Sequence, residues 1–106
     1  MANTHKERQM SKGYWVTTYR KINDPSKLAA YGQLAGPAVA AAGGKFLVRG
    51  VAEEVHEQGL KERTVVIEFP SYEDAVAAYD RDDYKKALAA LGDAVERDLR
   101  IVRGAE

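Results

Sequence analysis

At 106 residues the chain suits one domain, since two would each be too small to bury an adequate core. Hydrophobic residues make up 45% and charged residues 30%, a soluble globular balance, and sixteen basic side chains against sixteen acidic ones argue against nucleic acid or an anionic membrane as the main partner. There is no cysteine for disulfides, thiolate metal sites or thiol nucleophiles, and no apolar run approaches the roughly 18 residues of a membrane span, so the expected compartment is the cytoplasm.

Residues 1–12 are polar and without periodicity, and are expected to form a disordered tail that adds nothing to stability. A first strand is predicted over Tyr14–Arg20, where aromatic and β-branched residues suit a pleated sheet. Asp24-Pro25 then opens a helix, with Asp24 as cap and Pro25 at the first helical position. Leu28, Tyr31, Leu34, Ala35, Ala38, Val39 and Ala42 form its apolar face; Gly36-Pro37 should interrupt and kink it, and Gly43-Gly44 ends it. Lys45–Arg49 reads as a second strand. A charged, turn-like segment over Ala52–Glu62 follows, with its bend at Gly59. Arg63–Phe69 is the clearest strand, and Pro70 stops it. Ser71 to Asp74 resembles a capping box before a helix carrying Tyr72, Ala75, Val76 and Tyr79. Asp80 to Asp83 break that helix. A further one carries Tyr84, Ala87, Leu88 and Leu91, and Leu99–Arg103 is the last strand.

This order predicts an α+β fold, the ferredoxin-like βαββαβ arrangement: a four-stranded antiparallel sheet with its helices on one face. The uncovered face carries too many apolar groups for water, which predicts a homodimer joined through the open sheet face. Charge is also uneven along the chain, with a net of +5 over residues 1–53 and −5 over residues 54–106. Either two chains attract head to tail, or folding interleaves the halves and averages the charge away.

Gly13-Tyr14-Trp15, Asp24-Pro25, Tyr31, Gly43 to Gly50 (GGKFLVRG), Arg63 to Ser71 (RTVVIEFPS), Ala75, Tyr79, Tyr84 and Ala87 together resemble the bacterial domain-of-unknown-function family 1330 (DUF1330). The resemblance spans about residues 13–104 and implies a subunit of the dimeric α/β-barrel superfamily, with no activity attached. Members of that superfamily include cofactor-free monooxygenases, lactone isomerases, haem-degrading enzymes and stress proteins, which sets a wide range of expectations. The chain departs from the family pattern at Val51, Ala78, Arg81-Asp82-Asp83 and Gly92. At Gly92 an arginine is usual, so an anion grip there would be lost or moved.

Candidate chemistry is sparse. Tyr31, Tyr79 and Tyr84 are expected near a cavity between sheet and helices, close to the break in the second helical region. They either shape a pocket for an aromatic compound or are core rings. Arg49, beside Gly50, is a candidate for gripping a carboxylate or enolate, or an ion-pair partner of Glu68, and Arg63 has the same ambiguity. Glu68, on an otherwise apolar strand, is the candidate catalytic base with a raised pKa; the other reading points it to the barrel side in an ion pair. His5 and His56 lack companions at metal-ligand spacing, and Asp80, Asp82 and Asp83 read as helix caps, so neither metal nor cofactor is expected. The leading expectation is a dimeric small-molecule-binding protein, with a cofactor-independent monooxygenase- or isomerase-like reaction on an aromatic or enolisable substrate as its enzymatic form. The alternative is a non-catalytic ligand-sequestering, scaffold or stress protein.

Overall fold

Strand β1 (Gly13–Ile22) is the spine of the molecule, because its odd-numbered side chains from Gly13 to Tyr19 are all buried. The computed structural model describes residues 11–105. It continues with α1 (Pro25–Ala41), β2 (Lys45–Val51), β3 (Arg63–Phe69), α2 (Tyr72–Tyr79), α3 (Asp82–Leu91) and β4 (Val95–Arg103). The sheet order is β2-β3-β1-β4 with every pair antiparallel, the ferredoxin-like α+β arrangement that the element order predicts. This order interleaves the basic first half of the chain with the acidic second half. Lys12–Glu68, Arg20–Asp98 and Lys27–Asp93 are ion pairs between the two.

The alternation of β1 sorts the sheet into two faces. Trp15, Thr17 and Tyr19 meet the helices together with Val65, Ile67 and Phe69 of β3, whereas Tyr14, Val16, Thr18 and Arg20 lie on the open face. Trp15 is the centre of the core. Its ring centroid lies 5.2 Å from that of Phe69 and 4.9 Å from that of Tyr84, and its indole N–H donates to the Ala75 carbonyl at 2.7 Å. Gly13 lets β1 begin directly beneath α2, because a Cβ there would sit 2.6 Å from the Tyr72 Cα.

Several boundaries differ from expectation, among them the end of β2, which runs on to Val51 instead of stopping at Arg49. Residues 1–10 of the predicted tail lie outside the described residues. Ser11 and Lys12, assigned to the same tail, are docked: their carbonyls accept from the N–H groups of Tyr72 at 3.0 Å and Gly104 at 2.7 Å. Helix α1 runs through Pro37 as one element instead of being interrupted, because Ala35, Ala38 and Val39 around the proline are buried against the core. Asp24 caps it as expected, accepting from the N–H groups of Ser26 and Lys27. Strand β4 starts at Val95 and not at Leu99, and β1 extends to Ile22 beyond a bulge between Tyr19 and Lys21. The extra residues at the start of β4 bring Arg97 opposite Tyr19.

Candidate functional site

A cavity of about 50 Å³ lies under α1, between that helix and the sheet. By volume it takes a few water molecules or a small organic ion. Tyr31, Gly32, Ala35, Gly36 and Val39 recur at helical spacing and form its roof. Its floor is a patch of sheet: Phe46 and Arg49 from β2, Arg63 and Val65 from β3, Thr17 and Tyr19 from β1, Arg97 and Leu99 from β4. Among the described residues the lining contains three arginines and neither a carboxylate nor a histidine.

Arg97 organises the inner end. Its Nη1 donates to the hydroxyls of Tyr19 at 3.1 Å and Tyr31 at 3.2 Å, and its Nη2 donates to the Tyr84 hydroxyl at 3.2 Å. The Tyr31 and Tyr84 oxygens are 2.6 Å apart, so one hydroxyl donates to the other. Tyr84 is buried behind the cavity wall, and the Tyr31 oxygen is the acceptor within its reach. Either hydroxyl can be the donor of that bond; when Tyr84 donates, the hydroxyl protons of Tyr31 and Tyr19 are free to turn toward the cavity that both residues line. The arrangement offers hydrogen-bond donors around a guanidinium, which is the chemistry of an oxyanion site.

Burial, followed by the neighbouring Tyr31, pushes the Tyr84 hydroxyl well above the ordinary tyrosine value, so Tyr84 stays protonated and is no base. Burial opposes the charge on Arg97, but the oxygens of Tyr31, Tyr84 and Tyr19 outweigh it and hold its pKa above the usual value. The Arg97 guanidinium also stacks 5.0 Å from the Tyr31 ring centroid.

The candidates named from sequence are divided by this geometry. Tyr31 and Arg49 line the cavity, with Arg49 lying 4.5 Å over the Phe46 ring. Tyr84 reaches the site only through its hydroxyl, and Tyr79 does not line the cavity: its ring packs on Trp15 and Tyr84. The cavity is therefore under α1 and not at the break between α2 and α3, because Trp15 and the two tyrosine rings fill the space there. Glu68 is on the open face, accepting from the Tyr14 hydroxyl at 2.9 Å and from Lys12 at 3.4 Å. The Tyr14 hydrogen bond, with Lys12 and Lys45 nearby, holds its carboxyl below the ordinary value, the opposite of the raised pKa expected of a catalytic base. It faces away from Arg49 and pairs with lysine instead of arginine. Of the three aspartates read as helix caps, Asp80 is the C-cap of α2, whereas Asp82 and Asp83 lie in the first turn of α3, whose N-cap is Arg81. Asp83 accepts from the Tyr84 N–H at 2.8 Å while held by Arg81. Sequence reasoning missed Arg97 and Tyr19 altogether. The available signal was the alternation of Val95, Arg97, Leu99 and Ile101, which continues the last strand inward. Gly92, where the family's arginine is expected, closes α3 at a φ of 52°, a backbone position suited to glycine.

The sequence model of the family described as Domain of unknown function (DUF1330) matches residues 12–105. The chain belongs to that family. No curated protein matches this DUF1330 chain. Among solved structures it is similar to the RPA0582 protein of unknown function from Rhodopseudomonas palustris, with 19% identity and a TM-score of 0.70 over 99% of this chain and 91% of that one. A dimeric ferredoxin-like protein of unknown function from Thermobifida fusca YX matches at 18% identity and a TM-score of 0.63, covering 90% of this chain and 92% of its own. SnoaB, a cofactor-independent oxygenase from Streptomyces nogalater, matches at 11% identity and a TM-score of 0.62, over 91% of this chain and 95% of its own. At these identities the likeness is one of fold. Among the described residues, no helix is long and apolar enough to cross a membrane.

Proposed function

We propose that this DUF1330 protein binds a small organic anion, a carboxylate or an enolate, in the cavity under α1. The observation that carries the reading is Arg97: a partly buried guanidinium bonded to three tyrosine hydroxyls and, among the described residues, to no carboxylate, beside two further arginines. A buried cation without a counterion is costly unless an anion supplies the missing charge. An enolisable substrate held there would have its enolate stabilised over the neutral keto form. Cofactor-free monooxygenase-like and isomerase-like reactions share that step. The cavity's size favours a small substrate over a polycyclic one. A second reading, sequestration without catalysis, is favoured by the lining itself, which contains no carboxylate or histidine to take a proton at neutral pH.

Titration calorimetry with propionate and its neutral isostere propionamide tests the site. The acid should bind and the amide should not, and Arg97→Met should abolish binding of the acid. Equal binding of acid and amide, or undiminished binding by the variant, overturns the reading. The same proposal includes a homodimer formed through the open sheet face, supported by Tyr14, Val16, Val66 and Val102 on that face and by the dimeric Thermobifida fusca neighbour. Light scattering that returns the mass of one chain at every micromolar concentration overturns the dimer.

A further inference from the structure

The cavity has a second end, and the residue there is Arg63. Arg63 lines the inner cavity and also an outer groove of about 290 Å³ formed by Pro25, Leu28 and Ala29 of α1. Tyr31 and Gly32 also border both spaces, so the groove adjoins the cavity across the same three residues. The Arg63 Nε is buried and has no hydrogen-bond partner among the described residues. Such an unanswered donor is uncommon in folded proteins and calls for an acceptor. No acidic residue lines either space. The Arg63 and Arg97 guanidiniums stand 5.8 and 5.7 Å from the same Tyr19 ring centroid, at nearly equal reach from the middle of the floor.

The roof makes room between them. Gly32 and Gly36 sit inside α1, where glycine weakens a helix relative to alanine. Packing does not require them, since a Cβ at either position would meet nothing within 4 Å. Both glycines border the cavity, and the space beside them is open. We infer that the ligand carries two anionic groups, as in a short aliphatic dicarboxylate. One end is held by Arg97, Tyr31 and Tyr19, the other by Arg63 beside the outer groove, and the carbon chain crosses beneath Gly32 and Gly36.

This inference rests on the anion reading above and narrows it to a dianion. Malonate, succinate and glutarate are the probes, each compared with the monocarboxylate of equal chain length by titration calorimetry. At least one dicarboxylate should bind about tenfold more tightly than its monocarboxylate, a gap of about 1.4 kcal/mol. Arg63→Gln should erase most of that advantage while lowering monocarboxylate affinity far less than dicarboxylate affinity. Arg63→Lys, the gentler variant, should reduce the advantage, because lysine keeps the charge and loses the planar fork. Gly32→Ala should raise the melting temperature of the free protein while weakening dicarboxylate binding. Equal affinity of the parent for mono- and dicarboxylates overturns the dianion, as does an Arg63 variant that weakens both classes alike. A parent that binds no carboxylate at all overturns the anion site itself, so the two failures are distinct.

Discussion

The two faces of one sheet treat their charges in opposite ways. On the open face Asp98 accepts from Arg100 at 2.9 and 3.1 Å and from Arg20 at 3.2 Å, and Glu68 accepts from Tyr14 and Lys12. On the covered face Arg97, next along β4 from Asp98, meets only neutral hydroxyls. None of the acidic side chains among the described residues lines the cavity. Near water an ion pair is inexpensive and adds little, whereas under the helices a cation left without a counterion marks a position where charge is supplied from outside. Matched charges on one face therefore speak for assembly and solubility, and unmatched ones on the other for binding.

The largest difference between the faces should be in packing. Trp15→Ala should cost about 3–5 kcal/mol in urea denaturation, through lost contacts and the cavity left behind. Its open-face neighbour Val16→Ala should cost less than about 1.5 kcal/mol. A loss at Val16 as large as that at Trp15 would show that a dimer packs the open face as densely as the helices pack the other, and the contrast would fail. Tyrosine hydroxyls should separate next. Tyr84→Phe removes a buried acceptor from Arg97 and a partner from Tyr31, and should cost about 1–3 kcal/mol. Tyr79→Phe keeps every described contact, which is through its ring, and should change stability by less than about 0.5 kcal/mol.

The smallest effect concerns acid. Side-chain hydrogen bonds from Arg100, with Arg20 nearby, hold the Asp98 carboxyl below its ordinary value, and Tyr14 does the same for Glu68. A carboxylate with a lowered folded pKa stabilises the fold above its unfolded value and loses that contribution as pH falls through the folded one. Stability followed from pH 7 downward should therefore decline through the acid range. Asp98→Asn should flatten the decline, while Arg97→Met, on the covered face, should leave its shape unchanged. An Arg97 variant that altered the acid slope would mean that the two faces are electrically coupled.

Much of the fold was legible because its signals are local. The alternation from Val65 to Phe69, the Asp24-Pro25 helix start and the Pro70-Ser71 stop each work within a few residues. The site was less legible because its main residue sits in a segment whose composition conceals it. Val95-Glu96-Arg97-Asp98 is charged at three positions and follows a helix, so it reads as a helix end, and only pairing with β1 makes it a strand. Tyr79 and Tyr84 looked equivalent from spacing. What separates them is whether the hydroxyl finds the network of Arg97, a tertiary fact beyond any local pattern. Glu68 was misread in charge because its strand is apolar, while the partners that lower its pKa, Tyr14 and Lys12, lie on another strand and in the segment before it.

The bulge in β1 bears on what keeps this site in place over time. Register runs without a break from Gly13–Arg103 to Tyr19–Arg97, then skips Arg20 before Lys21 pairs with Glu96. The irregularity thus comes immediately after the pair that holds the cavity's central cation. It acts as a detent: a one-residue slide of β4 would turn Asp98 under the helices and expel Arg97, and it would also have to move the bulge past a regular ladder. Insertions and deletions in the β1–β4 ribbon should accordingly be tolerated on the far side of this irregularity, toward Ile22 and Val95, and rejected on the near side, where a single added residue would put a carboxylate in place of the cavity's central cation.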